Sequence, residues 1–177
     1  MYYLLYCLLA DFFINQYIAL GFRIFTLVEY TFLSVFLFVV NQNRFSKRVI
    51  QWGSFLFLVV SFVDFVESTK STFDSKPTGV SSILIIIYSI IFLFEQIKVP
   101  NQFFIYTSRN FWIATALIIY FSGTFFVFLF AQYISDSQQF ENTYSFINYT
   151  FSIIRNLFFA IAFLLPPEKE NTGFSIK

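Results

Sequence analysis

Six long apolar runs are the feature that most constrains the fold of this chain. A helix needs about 20 apolar residues to cross the hydrocarbon core of a bilayer, which is about 30 Å thick. Runs of roughly that length lie at residues 3–20, 23–40, 49–66, 80–97, 111–131 and 144–165. They are continuous rather than alternating, and they exceed the roughly ten residues of a membrane β-strand. The sequence therefore predicts an all-α, polytopic transmembrane helical bundle of about six spans.

Composition excludes several classes of chemistry. The 177 residues are 58% hydrophobic and 12% charged, whereas a soluble domain has about 25% charged residues. The net charge of +1 gives no strong attraction to nucleic acid. There is no histidine and one cysteine, so histidine-based catalysis, an intramolecular disulfide and a thiolate metal cluster are excluded. We predict no catalytic residue, no metal site and no cofactor.

Polar segments separate most of the predicted spans. These segments are residues 41–48, 67–79, 98–101 and 136–142. The boundary between the first two spans is the weakest, because only Asn15, Gln16 and Gly21 interrupt the apolar sequence there. Five spans are therefore the alternative. Residues 1–165 are predicted to form one transmembrane domain, and residues 166–177 a short cytoplasmic tail.

Lysine and arginine residues lie mainly on one side of the predicted topology. Seven are on that side: Arg44, Lys47, Arg48, Lys98, Arg109, Lys169 and Lys177. Three are on the other side: Arg23, Lys70 and Lys76. Loops rich in lysine and arginine stay in the cytoplasm, so both termini are predicted to be cytoplasmic.

Four ionisable side chains fall inside predicted spans, where a charge near the bilayer centre costs about 3 kcal/mol or more. They are Asp11, Glu29, Asp64 and Arg155. Arg155 follows Asn148 and Ser152 at helical spacing, which places the three on one polar face of the last span. We predict an outward-facing pocket lined by Glu29, Asp64 and Arg155, with Asp11 deeper. The alternative is interhelical hydrogen bonding with one ion pair and no ligand.

Several segments carry a family resemblance. They are Asn110-Phe111-Trp112-Ile113 with residues 117–123, Val28-Glu29-Tyr30, and the closing span 148–165. Together they resemble uncharacterised multi-span membrane proteins of Bacteroidota, and the membrane sensor region found in front of histidine kinases. The resemblance implies a bacterial sensory module in the cell inner membrane whose output domain is not in this chain. It also implies that Glu29 matches the family's recurrent acid.

The leading functional interpretation is a non-enzymatic membrane module with a role in signalling. It would bind a small or lipidic ligand, or a partner membrane protein, through its polar interior. The expected partners are the lipid bilayer and a separate signalling output protein, and the oligomeric state is left open. The alternative is a small ion- or proton-coupled transporter or channel, although the chain shows no internal repeat of the kind common in transporters.

Overall fold

The computed structural model describes residues 2–67, 75–98, 105–134 and 138–166. These residues form five α-helices, with a short 3-10 turn at Ile105–Thr107 before the fourth. The helices are α1 (Tyr2–Val40), α2 (Arg44–Glu67), α3 (Ser75–Lys98), α4 (Arg109–Ile134) and α5 (Gln138–Leu164). Every regular element in the described ranges is helical, which confirms the all-α prediction.

Each of the five helices is long and apolar enough to cross a bilayer. The qualifying segments are Arg23–Val40, Arg44–Val66, Lys76–Lys98, Arg109–Val127 and Asn142–Leu164. The prediction of about six spans is not confirmed, because residues 3–20 and 23–40 belong to the single 39-residue helix α1. Gly21 lies inside this helix; glycine weakens a helix, but unlike proline it keeps the backbone N–H that the helix needs.

Two asparagines make the tight connection between α1 and α2. The Asn41 side-chain amide donates to the Leu37 carbonyl oxygen at 2.8 Å, at the end of α1. The Asn43 side-chain oxygen accepts from the Phe45 backbone N–H at 3.0 Å, at the start of α2. Side chains that satisfy free backbone groups stabilise helix ends. Because only residues 41–43 separate them, the two helices are antiparallel neighbours.

Most of the lysine and arginine residues that the structure describes lie at one end of the bundle. We call it the basic end, and it carries Arg44, Lys47, Arg48, Lys98 and Arg109. Ser46 donates a hydrogen bond to Glu95 there and so links α2 to α3. The Arg109 Nε donates to the Leu165 carbonyl oxygen, just after α5 ends. A cation stabilises the negative end of a helix dipole, so Arg109 fastens the start of α4 to the end of α5.

The core lies between the first four helices. Its buried members are Tyr30, Leu37, Ile50, Phe57, Ile85, Tyr88, Leu117, Tyr120 and Phe121. The central helix is α3, which packs against α1, α2 and α4, whereas α5 packs against α4. A methyl group at Gly123 of α4 would lie 2.3 Å from the Phe151 ring of α5. Glycine at this position therefore allows α5 to approach α4 closely.

Candidate functional site

An ion pair joins α1 to α5 at the side of α4. The Arg155 Nη1 lies 3.6 Å from the Glu29 Oε1, and the two side chains are 23% and 28% exposed. Tyr120 of α4 completes the group, because the guanidinium carbon of Arg155 is 4.1 Å from the centroid of its ring. A guanidinium is attracted to the face of an aromatic ring. Arg155 is thus held by a carboxylate of one helix and a ring of another.

The other predicted residues of α5 lie on the same face as Arg155. The Tyr120 hydroxyl donates to the Asn148 side-chain oxygen at 3.4 Å. Ser152 is half-buried and lies between Asn148 and Arg155 in the sequence. Steps of four and three residues keep these three side chains on one side of a helix. We call Glu29, Tyr120, Asn148, Ser152 and Arg155 the Glu29–Arg155 site.

The site has a hydrogen-bond donor that is not used. The Nε of Arg155 is buried and has no hydrogen-bond partner among the described residues. Leaving a buried donor unpaired costs about 1–3 kcal/mol. Because a guanidinium carries five N–H donors in a planar fork, the site keeps a capacity to bind acceptor oxygens after the ion pair is made.

The two remaining predicted acids have different outcomes. Asp64 is buried, at 7% exposed, on α2, and no ion pair joins it to Arg155 within the described ranges. Its helix packs against α1 and α3, whereas the helix of Arg155 packs against α4. The structure therefore pairs Glu29 with Arg155, and Asp64 is not part of that ion pair. The side chain of Asp11 lies outside the described residues.

A second polar group, which sequence reasoning missed, lies between α1, α2 and α3. The Tyr30 hydroxyl is 3.1 Å from the Ser54 hydroxyl and 3.2 Å from the Tyr88 hydroxyl. The Tyr88 hydroxyl also donates to the Ile50 carbonyl oxygen at 3.4 Å. We call Tyr30, Ser54 and Tyr88 the hydroxyl cluster. A methyl group at Gly53 would lie 1.9 Å from the Tyr88 oxygen. The glycine next to Ser54 is therefore the sequence feature that could have indicated this cluster.

The Glu29–Arg155 site contains side-chain groups that can bind an acceptor group. A planar guanidinium recognises carboxylates and phosphates through paired N–H donors. Within the ranges that the structure describes, no three His, Cys, Asp or Glu side chains lie together as metal ligands. The arrangement can therefore hold an anionic or carbonyl-bearing group next to the Tyr120 ring.

Comparison with protein families, with curated proteins and with solved structures finds no significant match. The resemblance to Bacteroidota membrane sensor regions therefore stays a prediction.

Proposed function

We propose that this chain is a non-enzymatic integral membrane protein that binds a small or lipidic ligand at the Glu29–Arg155 site. The observation that carries the proposal is the buried, unpaired Nε of Arg155. Buried polar groups in proteins are nearly always hydrogen-bonded. An ion pair kept only for stability is often replaced by apolar residues without loss, so a half-satisfied arginine at this position supports a role in binding.

The chemistry of the site favours a ligand with an anionic head and an apolar body. Acceptor oxygens of a carboxylate or phosphate would compete with Glu29 for the exposed part of the guanidinium. The buried Nε would gain a partner once the Arg155 side chain turns toward them. The flanking faces of α5 are apolar and exposed, at Tyr149 and Ile153. A fatty acid or a related amphiphile has both parts.

Orientation follows from the distribution of cations. The basic end carries five described lysine and arginine residues, whereas Arg23 and Lys76 lie at the opposite end. We place the basic end in the cytoplasm of a bacterium, by the positive-inside rule. The C-terminus is then cytoplasmic, and the N-terminus is also cytoplasmic if residues 3–20 cross the membrane as a separate sixth span.

Signalling would follow from a change in the distance between α1 and α5. A ligand that binds Arg155 in place of Glu29 favours the arrangement in which the two helices are apart. Residues 166–177 continue from α5 in the sequence, so the change would reach the cytoplasmic tail. A separate output protein, or a partner membrane protein against α5, would read it.

Cysteine labelling tests whether the site is open. Replacing Cys7, the single cysteine, by serine gives a background into which Ser152→Cys is introduced. The matched control is Ser89→Cys, because Ser89 of α3 is fully buried. In proteoliposomes we expect a water-soluble methanethiosulfonate reagent to label position 152 roughly tenfold faster or more, since the reagent must reach a thiolate. Added palmitate should slow the labelling at 152 alone.

Two results decide against the proposal. Equal and slow labelling at positions 152 and 89 would mean a sealed ion pair and no binding site. The alternative of an ion- or proton-coupled transporter draws on the same Glu29–Arg155 pair, since intramembrane acids and bases are typical coupling groups. Proton- or sodium-dependent flux that Glu29→Gln abolishes would favour that alternative.

A further inference from the structure

A groove between α2 and α3 opens at the basic end, apart from the Glu29–Arg155 site. It has a volume of about 530 Å³, and residues between Phe45 and Leu56 of α2 and between Leu84 and Tyr88 of α3 line it. Small-molecule sites in proteins have volumes of about 300–1,000 Å³. The groove is therefore large enough to hold part of a bound molecule.

The length of the groove matches one leaflet of a bilayer. From Phe45 to Leu56 the α2 backbone rises by about 16 Å, at 1.5 Å per residue. The hydrocarbon core of a bilayer is about 30 Å thick, so the groove extends from the membrane surface to near the midplane. A single acyl chain of one leaflet occupies the same depth.

The walls of the groove are apolar and its mouth is cationic. Trp52 is 73% exposed and Leu56 is 52% exposed, and both line the groove. Arg48 lies one helical turn before Trp52, at the membrane-surface end, and is the cation that lines the groove. No carboxylate of the described residues pairs with Arg48. Tryptophan is enriched at the level of lipid headgroups, which agrees with this depth.

Gly53 shapes the groove at its centre. The absence of a side chain there lets the Tyr88 hydroxyl lie against α2, since a methyl group would be 1.9 Å from that oxygen. The gap between Trp52 and Leu56 on α2 is therefore lined by glycine backbone and by the edge of Tyr88. A flexible, unbranched chain fits such a surface, whereas a bulky branched one does not.

We propose that the groove binds an acyl chain of an anionic phospholipid of the cytoplasmic leaflet, with its phosphate at Arg48. Charge complementarity selects the occupant, because basic pockets between membrane helices on the cytoplasmic side bind anionic headgroups. Arg44 and Lys47, in the same two turns of α2, add to the positive potential. The site is distinct from the Glu29–Arg155 site; it requires that the chain spans a membrane, and its assignment to the cytoplasmic leaflet rests on the orientation proposed above.

Tryptophan fluorescence tests the proposal directly. The chain has two tryptophans, so the Trp112→Phe variant reports from Trp52 alone. It is reconstituted into vesicles of equal parts phosphatidylglycerol and phosphatidylcholine, and brominated chains, which quench tryptophan, are placed on one lipid or on the other. Both vesicles have the same surface charge. We expect stronger quenching when phosphatidylglycerol carries the bromine, with an apparent preference of about fivefold, as one arginine near a membrane surface provides.

Three controls separate a site from general attraction. Arg48→Gln should abolish the preference, whereas Lys98→Gln, at the same end of the bundle but outside the groove, should retain it. The Trp52→Phe variant, which reports from Trp112 on α4, should show no preference. Equal quenching of Trp52 by the two brominated lipids overturns the proposal even if Arg48→Gln fails to fold. An equal preference at Trp112 also overturns it, because the lipid would then be enriched around the whole basic end.

Discussion

The hydroxyl cluster and the Glu29–Arg155 site include neighbouring residues of α1, Tyr30 and Glu29. The two groups differ in charge, in exposure and in how completely their polar atoms are hydrogen-bonded. Tyr30 and Tyr88 of the hydroxyl cluster are 4% and 1% exposed, uncharged and bonded to each other. Glu29 and Arg155 are charged, about a quarter exposed and 3.6 Å apart, and one arginine donor is unpaired. A saturated neutral group holds helices together, whereas an incompletely satisfied charged pair adds little stability. The hydroxyl cluster therefore contributes to the stability of the bundle, and the Glu29–Arg155 site is the one that we propose for binding.

Substitution of Gly53, beside the hydroxyl cluster, should have the largest effect on stability. Gly53→Ala places a methyl group 1.9 Å from the Tyr88 oxygen, so the buried Tyr88 side chain must shift and lose its hydrogen bonds to Tyr30 and to the Ile50 carbonyl oxygen. We expect a loss of about 3 kcal/mol in the free energy of unfolding, from overpacking and lost hydrogen bonds. Denaturant titration of the purified protein in detergent micelles measures it.

Gly21→Ala is the matched control for this substitution. Gly21 lies within α1 and has nothing within 4 Å of the added methyl group. Alanine is a better helix former than glycine by about 1 kcal/mol, so this variant should be unchanged or slightly more stable. Equal effects of the two substitutions would contradict the close α2–α3 contact.

Gly123→Ala should have the next largest effect, and on the other group. The added methyl group meets the Phe151 ring at 2.3 Å, but the ring lies at the end of a side chain that can tilt. We expect a loss of about 1–2 kcal/mol, together with a changed labelling rate of Ser152→Cys, because the displaced ring belongs to the residue before position 152. Ser122→Ala, at an exposed neighbouring position, should change neither measurement. An unchanged labelling rate in Gly123→Ala would show that this contact does not position the site.

Tyr88→Phe removes one hydroxyl of the cluster and little volume. It deletes the bonds to Tyr30 and to the Ile50 carbonyl oxygen, and we expect a loss of about 1 kcal/mol. The double variant with Tyr30→Phe should lose less than the sum of the two, because the residues share one bond. Tyr149→Phe, at a residue that is 66% exposed, is the neutral control. Palmitate protection of Ser152→Cys should be the same in all four.

Arg155→Gln should have the smallest effect on stability and a large effect on binding. The pair is long, and Glu29 can be neutralised by a proton once its partner is lost, so we expect a change of about 1 kcal/mol or less in the free energy of unfolding. Protection of Ser152→Cys by palmitate should disappear, and Arg155→Lys should restore it only in part, since lysine lacks the planar fork. A loss of several kcal/mol with protection intact would assign the pair to architecture after all.

The helices were predictable because apolar runs bounded by polar turns carry a strong signal. Predicted residues 49–66, 80–97 and 111–131 lie within α2, α3 and α4. The predicted break between residues 20 and 23 is absent from α1, because Asn15, Gln16 and Gly21 all keep the backbone N–H that a helix needs. A polar residue within an apolar run can indicate either a turn or an interhelical contact, and the residue type does not distinguish the two.

The candidate site was predictable in part. A charge in an apolar span needs a partner, and this rule pointed to Glu29 and Arg155, which the structure brings together. The same rule pointed to Asp64, whose helix packs elsewhere; pairing depends on helix order around the bundle, which sequence does not contain. Tyr120 was missed because it is one of 11 tyrosines in a chain with 30 phenylalanines, and only its position beneath Arg155 sets it apart.

The bond between Arg109 and the Leu165 carbonyl oxygen determines how α5 can move. It fastens this helix at one end, about 15 Å along the axis from Arg155 at 1.5 Å per residue. A displacement of Arg155 then rotates α5 about a point near Leu165, and the N-terminal end of the helix moves furthest. Under the proposed mechanism, the cytoplasmic tail changes its angle to the membrane and is not translated along the helix axis. A partner that reads this signal would recognise the tilt of the emerging chain.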